Sequence, residues 1–239
     1  MKKTKHILTI LPLAIFLWLL SACSETYFFY QDDARIRIEG PSEWTLGSDS
    51  LLFSFAAFPA TVTEMVIDAT LYVIGTPVPH NRTALVEIVA ANTTATSAHY
   101  SLSTQITIPA NAYSAPFPIT LIRTADLEER TVRLLVRVRE NEDFGVGVLE
   151  QRQLLLQWND ILSMPPNWDV RYREFFGEWS AVKHRFMIDN GFPGLIEADA
   201  LLWAQLMNFQ ILFRTALDAY NAVNPGNPLR DENGILITF

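Results

Sequence analysis

The sulfur of Cys23 is the one thiol in a chain of 239 residues, and the residues before it assign it a chemistry. Leu20-Ser21-Ala22-Cys23 closes an uncharged run from Ile7 to Leu20, and Lys2, Lys3 and Lys5 precede that run. These are the charged n-region and short apolar h-region of an export signal. Small residues directly before a cysteine are what a bacterial lipoprotein signal peptidase requires of a sulfur that carries diacylglycerol. The expectation is cleavage before Cys23, lipidation at Cys23, and residues 1–22 as signal peptide. The uncharged run of 14 residues is shorter than the roughly 20 a spanning helix needs, whereas acyl chains on one cysteine hold a protein at a bilayer without any spanning segment.

The other residue types suited to chemistry are sparse. His80, His99 and His184 follow the signal, no two of them at metal-ligand spacing and no thiolate left to join them, so no zinc set is expected. A nucleophile needs a positioned base, and the chain has neither a Gly-x-Ser-x-Gly elbow nor a Cys–His pair. Each histidine therefore reads as a surface or structural residue. Glu140, Glu142 and Asp143 could present hard oxygens to Ca²⁺ from one turn, but their spacing is not that of an EF-hand loop, and a solvated turn is the reading adopted. Glu128-Glu129 reads as a charged loop. Glycoside hydrolysis needs two acids across a cleft, a separation no sequence displays, so no pair is named.

Indole faces stack on sugar rings, which brings Trp44, Trp158, Trp168 and Trp179 into view. Trp158 shares a strand face with Leu154 and Leu156 and reads as core. Trp168 follows Pro165-Pro166 and is the one candidate for a ligand contact, set against packing between two parts of the chain. Asn81-Arg82-Thr83 and Asn92-Thr93-Thr94 fit the eukaryotic glycosylation pattern, a chance match behind a bacterial signal. The expectation is a protein without catalytic residues, metal or cofactor.

Removal of residues 1–22 takes away three lysines and no acid. The mature chain then carries 15 Lys+Arg against 26 Asp+Glu, a net charge of −11 instead of −8. Clustered positive charge is what nucleic acid and anionic headgroups attract, so neither is an expected partner. With 49% apolar residues the chain can build real cores, and it must, because no second cysteine is available for a disulfide.

Elements must position these groups. From Asp33 to Trp158 apolar segments recur between turn residues at the spacing of a β-sandwich, with strands expected at 34–39, 51–58, 64–74, 83–90, 105–108, 117–122, 131–139 and 148–158. Val132, Leu134, Val136 and Val138 alternate with Thr131, Arg133, Leu135, Arg137 and Arg139, one face inward and one toward water. Leu154, Leu156 and Trp158 alternate likewise with Gln153 and Gln157, and Glu140 to Gly145 reads as a hairpin-like turn between the two strands. Pro165-Pro166 ends this pattern. Beyond it the period is helical, in two pieces around Gly177 and then in a long helix from about Ile196 to Val223 with Leu202, Leu206, Phe209, Phe213, Leu217 and Tyr220 in one stripe. A short strand is expected in 234–239. The organisation is thus 1–22 signal, 23–33 tether, 34–163 an immunoglobulin-like antiparallel β-sandwich, and 164–239 a smaller helical region.

These residues resemble the domain-of-unknown-function family 4843 of Bacteroidota lipoproteins. The resemblance runs through the lipobox, Ile108-Pro109-Ala110-Asn111, Ile119 to Leu127, the Glu142-Asp143-Phe144 turn and Phe176 to Lys183. It carries no catalytic residue. It implies attachment to the outer membrane through Cys23, the cell surface before the periplasmic face, and a place beside a TonB-dependent channel and its SusD-like lipoprotein, as a noncatalytic accessory of uptake or surface binding. A structural or adhesive surface subunit is the alternative, and a glycan or a peptide is the ligand class left open.

Overall fold

The computed structural model describes residues 33–41, 50–194 and 201–239. Cys23, Trp44 and the expected beginning of the long helix at 196–200 lie outside the described residues. Ten strands form two five-stranded sheets: β1 Arg35–Glu39, β2 Ser50–Ser54, β3 Glu64–Ile74, β4 Arg82–Ile88, β5 Tyr100–Ser101, β6 Gln105–Ile108, β7 Ser114–Ile122, β8 Val132–Arg139, β9 Gly145–Val146 and β10 Gln153–Asn159. One sheet runs β5-β7-β3-β1-β9 and the other β2-β10-β8-β4-β6. The protein is mainly β, an immunoglobulin-like sandwich followed by helices. Its pairing is antiparallel except for β1 with β9 and β2 with β10, which run parallel.

Alternation fixes the faces. Ile67, Ala69, Leu71 and Val73 of β3 turn inward against Ala115, Phe117, Ile119 and Leu121 of β7 and, across the sandwich, Val132, Leu134, Val136 and Val138 of β8. Each such large side chain removed from water contributes roughly 1.5–3 kcal/mol. Leu135 departs from the expected pattern: it lies on the outward face of β8 and is nevertheless buried, because residues 89–95 run along this edge. Thr93 Oγ1 there accepts from Leu135 N–H, and Val89 N–H donates to Leu135 O.

β5 pairs only with Thr120 and Leu121 of β7, and the uncovered edge of β7 over 114–119 is blunted by its sequence. Val73 N–H donates to Tyr113 O, so amides turned toward β3 recur at every second residue from Tyr113, and Pro116 and Pro118 fall where an N–H would point away. A proline has none to offer an incoming strand.

The turn after β8 is not a hairpin to β10. Residues 140–147 cross to the other sheet, where Gly145 N–H and Gly147 N–H donate to Ala34 O and Ile36 O. Only after a short 3₁₀ turn at Leu149–Gln151 does β10 begin, at Gln153 rather than Val148. Gly147 is required by this crossing, since a Cβ there would meet Ile36 O at 3.0 Å and Ile74 Cδ1 at 2.8 Å. Strands of two residues, like β5 and β9, leave no period to read in a sequence.

Past residue 160 the helical region has its own core. A π-turn at Trp168–Tyr172 leads into α1 Arg173–Phe176, followed by α2 Ala181–Asp189 and α3 Trp203–Val223. Trp168, Tyr172, Phe176, Phe192 and Phe213 are buried together, with Phe176 and Phe192 edge to face at 5.4 Å. Gly177 ends α1 at φ +73°, a conformation that costs glycine least. There the buried Lys183 ammonium donates to Phe176 O at 2.7 Å and Glu178 O at 2.9 Å. Helix α3 starts at Trp203, one residue beyond Leu202, whose N–H donates to Gln205 Oε1. Leu206, Phe213 and Leu217 are buried as the stripe requires, Phe209 and Tyr220 are half-buried, and Leu202 is exposed. In place of a terminal strand there is a single bridge, Arg230 to Leu236, and Phe239 stacks near Phe186 and Phe213. No helix among the described residues is long and apolar enough to cross a membrane.

Candidate functional site

A cluster of charge sits where sandwich and helices meet, and Asp160, directly after β10, is its centre. Its carboxylate is 4% exposed and accepts from Arg123 Nε at 2.7 Å, Arg123 Nη2 at 2.9 Å and Arg185 Nη2 at 2.7 Å. Arg123 follows β7, and Arg185 belongs to α2. Each arginine also binds backbone of the 56–62 segment: Arg123 Nη1 donates to Pro59 O and Val62 O, and Arg185 Nη1 to Phe58 O at 3.0 Å. Asp189 Oδ1, one helical turn on, accepts from Ala60 N–H at 2.7 Å. The planar forks of arginine are spent on fixed acceptors, so this arrangement holds α2 to the sandwich. Sequence reasoning did not select Asp160. Its signal was an acid placed at the end of an apolar strand, next to the linker.

His99 is buried. Its Nδ1 accepts from Thr96 N–H at 3.0 Å, which puts the proton on Nε2, and Nε2 donates to Asp126 Oδ2 at 3.0 Å. With both nitrogens engaged, the ring is not available as a general base. Asp126 also accepts from Thr124 Oγ1 at 2.6 Å and from Arg130. These hydrogen bonds, that of Thr124 first, hold its carboxyl well below the usual carboxylate range.

His184, read beside Lys183 and Arg185 as a surface or structural residue, lies in the helical core at 1% exposure. Trp179 Nε1 donates toward its Nδ1 at 3.4 Å, and Trp168 lies 5.5 Å from its ring. Burial, and secondarily the Arg185 charge, push it down to about 4, so the ring is neutral near pH 7. His80 is exposed in the loop before β4.

The acidic turn is tied to β4. Asp143 Oδ2 accepts from Thr83 N–H at 2.7 Å, Asn141 Oδ1 accepts from Phe144 N–H at 2.9 Å, and Asn141 Nδ2 donates to Thr83 O. Among the described residues, no three of the types that ligate metals stand together.

Trp168 is fully buried and its Nε1 donates to Gly177 O at 3.0 Å, so it packs within the helical region and offers no face to a sugar. Trp158 is in the sandwich core. The exposed tryptophan among the described residues is Trp203 of α3, 60% exposed beside Phe175, and sequence reasoning did not single it out. On the outer face of the β1/β3 sheet, a groove of about 450 Å³ is lined by Glu39, Val66, Asp68, Thr70 and Tyr72. Arg37 sits 4.7 Å over the Tyr72 ring and donates to Gln151 Oε1 at 3.0 Å.

A family model described as a domain of unknown function (DUF4843) matches residues 24–191. No curated protein matches the sequence. Solved structures similar to the chain include a "putative carbohydrate binding protein" from Bacteroides ovatus ATCC 8483, 11% identical over 54% of this chain and 38% of that one, TM-score 0.38. A protein of unknown function from Bacteroides ovatus is 17% identical over 51% and 43%, TM-score 0.37. A two domain protein with unknown function from Bacteroides fragilis NCTC 9343 is 9% identical over 53% and 45%, TM-score 0.38. The matched region spans less than half the length of each of these relatives.

Proposed function

The chain belongs to the DUF4843 family, and we propose that it is a noncatalytic, lipid-anchored accessory of an outer-membrane complex for nutrient uptake or surface binding. In this reading residues 1–22 are removed, Cys23 is acylated, and the sandwich with its helices works at the cell surface through contacts with other proteins or with glycans. The observation that carries the noncatalytic part is the commitment of the reactive side chains to the fold. His99 is engaged at both nitrogens, and the Asp160 carboxylate is clasped by Arg123 and Arg185.

The described body is entered at Asp33 and Ala34, where Ala34 meets Gly75 and Gly145 beyond the Ile74 end of β3. The helices attach at the opposite end, near Ala60, Val62 and Arg123. The 11 residues of β3 separate the two poles by about 33 Å at the rise of a strand.

The test is purification of the tagged chain from detergent-solubilised membranes of its own cells. A TonB-dependent channel and its SusD-like lipoprotein should be recovered in stoichiometric amounts. Recovery of the chain alone would overturn the accessory role and leave the adhesive or structural reading.

A further inference from the structure

Helix α3 is apolar on two sides. One side is buried through Leu206, Phe213 and Leu217, but on the other Ile211 is 62% exposed and Leu212 45%, with Ala219 and Ala222 exposed beside them. In its 21 residues the charges are Arg214 and Asp218 alone. A helix apolar all round belongs in a core, and an apolar face left in water marks a contact surface.

This face is graded along its length. Large side chains, Ile211 and Leu212, come first and small ones, Ala219 and Ala222, follow, with Arg214 and Asp218 between them in that order. Turned end for end, the face complements itself. In an antiparallel pair Ile211 meets Ala222, Leu212 meets Ala219 and Arg214 meets Asp218, and all three pairings are centred at or beside Ala216, so one register satisfies them. At about 100° per residue, Ile211, Thr215 and Ala222 lie near the middle of the face, Leu212 and Ala219 share one flank, and Arg214 and Asp218 share the other. A two-fold axis between the helices sets like flanks against each other. A parallel pair would instead set Arg214 on Arg214 and leave a gap between the alanines. The charges are available for this exchange. Arg214 Nε donates to Phe239 O at 2.5 Å, Arg214 and Asp218 do not pair with each other although one turn apart, and Asp218 makes no hydrogen bond or ion pair with any described residue.

We propose that this face binds a second copy of the chain, α3 against antiparallel α3, about a two-fold axis beside Thr215 and Ala216. The apolar residues leave water, and the two symmetry-related Arg214–Asp218 pairs fix the register and disfavour other apolar surfaces. One helix pair buries less than the roughly 1,600 Å² of a standard interface, so the association is reversible and a covalent trap is the suitable probe. The inference does not rest on the accessory role proposed above.

The test is oxidative crosslinking of the full-length chain in its own cells with copper phenanthroline, followed by electrophoresis with and without reductant. Thr215→Cys, at an exposed position beside the axis, should give a reducible band of twice the chain's mass that the native chain lacks. Ile211→Cys alone should give none, because its two copies stand about ten residues, or 15 Å, apart along the pair, whereas differently tagged Ile211→Cys and Ala222→Cys chains made together should join. In the Thr215→Cys chain, Asp218→Arg should lower the yield about tenfold by setting like charges opposite each other, and adding Arg214→Asp should restore it. A monomeric Thr215→Cys chain, Ile211→Cys crosslinked to itself as readily as to Ala222→Cys, or a yield indifferent to Asp218→Arg would each overturn the proposal.

Discussion

At Asp160 two arginines from different parts of the chain share one buried carboxylate. Removing one partner of a buried ionic group leaves the others uncompensated, at a cost of about 3–5 kcal/mol. Asp160→Ala should therefore lower the unfolding free energy in urea by that amount, whereas Arg130→Ala, at an exposed pair, should change it by about 1 kcal/mol or less. Equal losses would show that the clasp is not buried as described. His184 gives a pH signature of its own. Its folded pKa, about 4, lies below its ordinary 6.5, so the unfolded chain binds the proton more readily. The stability this ring confers is complete above pH 6.5 and falls as pH drops toward 4, by about 3 kcal/mol at the end. In His184→Phe the slope in that window should flatten. A second acid loss, from Asp126, belongs below the ordinary carboxylate range and should remain in that variant. None of this was legible in the sequence, because burial of a histidine flanked by Lys183 and Arg185 depends on which side of α2 meets Trp168. The expected anchor at Cys23 rests on a motif contiguous in sequence and lies outside the described residues.

Strand β8 shows what periodicity does convey. Its four inward residues were legible because a period of two and one buried face leave a single register. Val136→Asp should cost about 3–4 kcal/mol by burying an unpaired charge, against about 0.5 kcal/mol or less for Arg133→Ser on the outward side, as read from paired denaturation curves. The crossing of residues 140–147 was not legible, since two strands on either side of a polar turn look like a hairpin whichever sheet the turn visits. The edge of β7 makes a prediction at the same scale. Replacing Pro116 and Pro118 together by Thr restores two outward amide donors on an apolar strand, and light scattering should then report concentration-dependent association. A variant that remains monomeric at high concentration would mean that the edge is protected by something other than proline.

The two cores are separate in composition and joined by a few polar contacts, Arg185 to Asp160 and Phe58, and Asp189 to Ala60. Helix propensity alone does not hold an α3 of 21 residues; burial of Leu206, Phe213 and Leu217 does. The two parts of the intact chain should unfold together, with tryptophan fluorescence and far-ultraviolet circular dichroism giving coincident transitions, and Arg185→Ala should separate them by lowering the helical one. In the function proposed above, an acylated Cys23 holds this body at the membrane. Metabolic labelling with palmitate, followed by membrane fractionation, tests that most directly: the native chain should take up label and sediment with membranes, and Cys23→Ser should do neither. Label and sedimentation undiminished in Cys23→Ser would contradict the account.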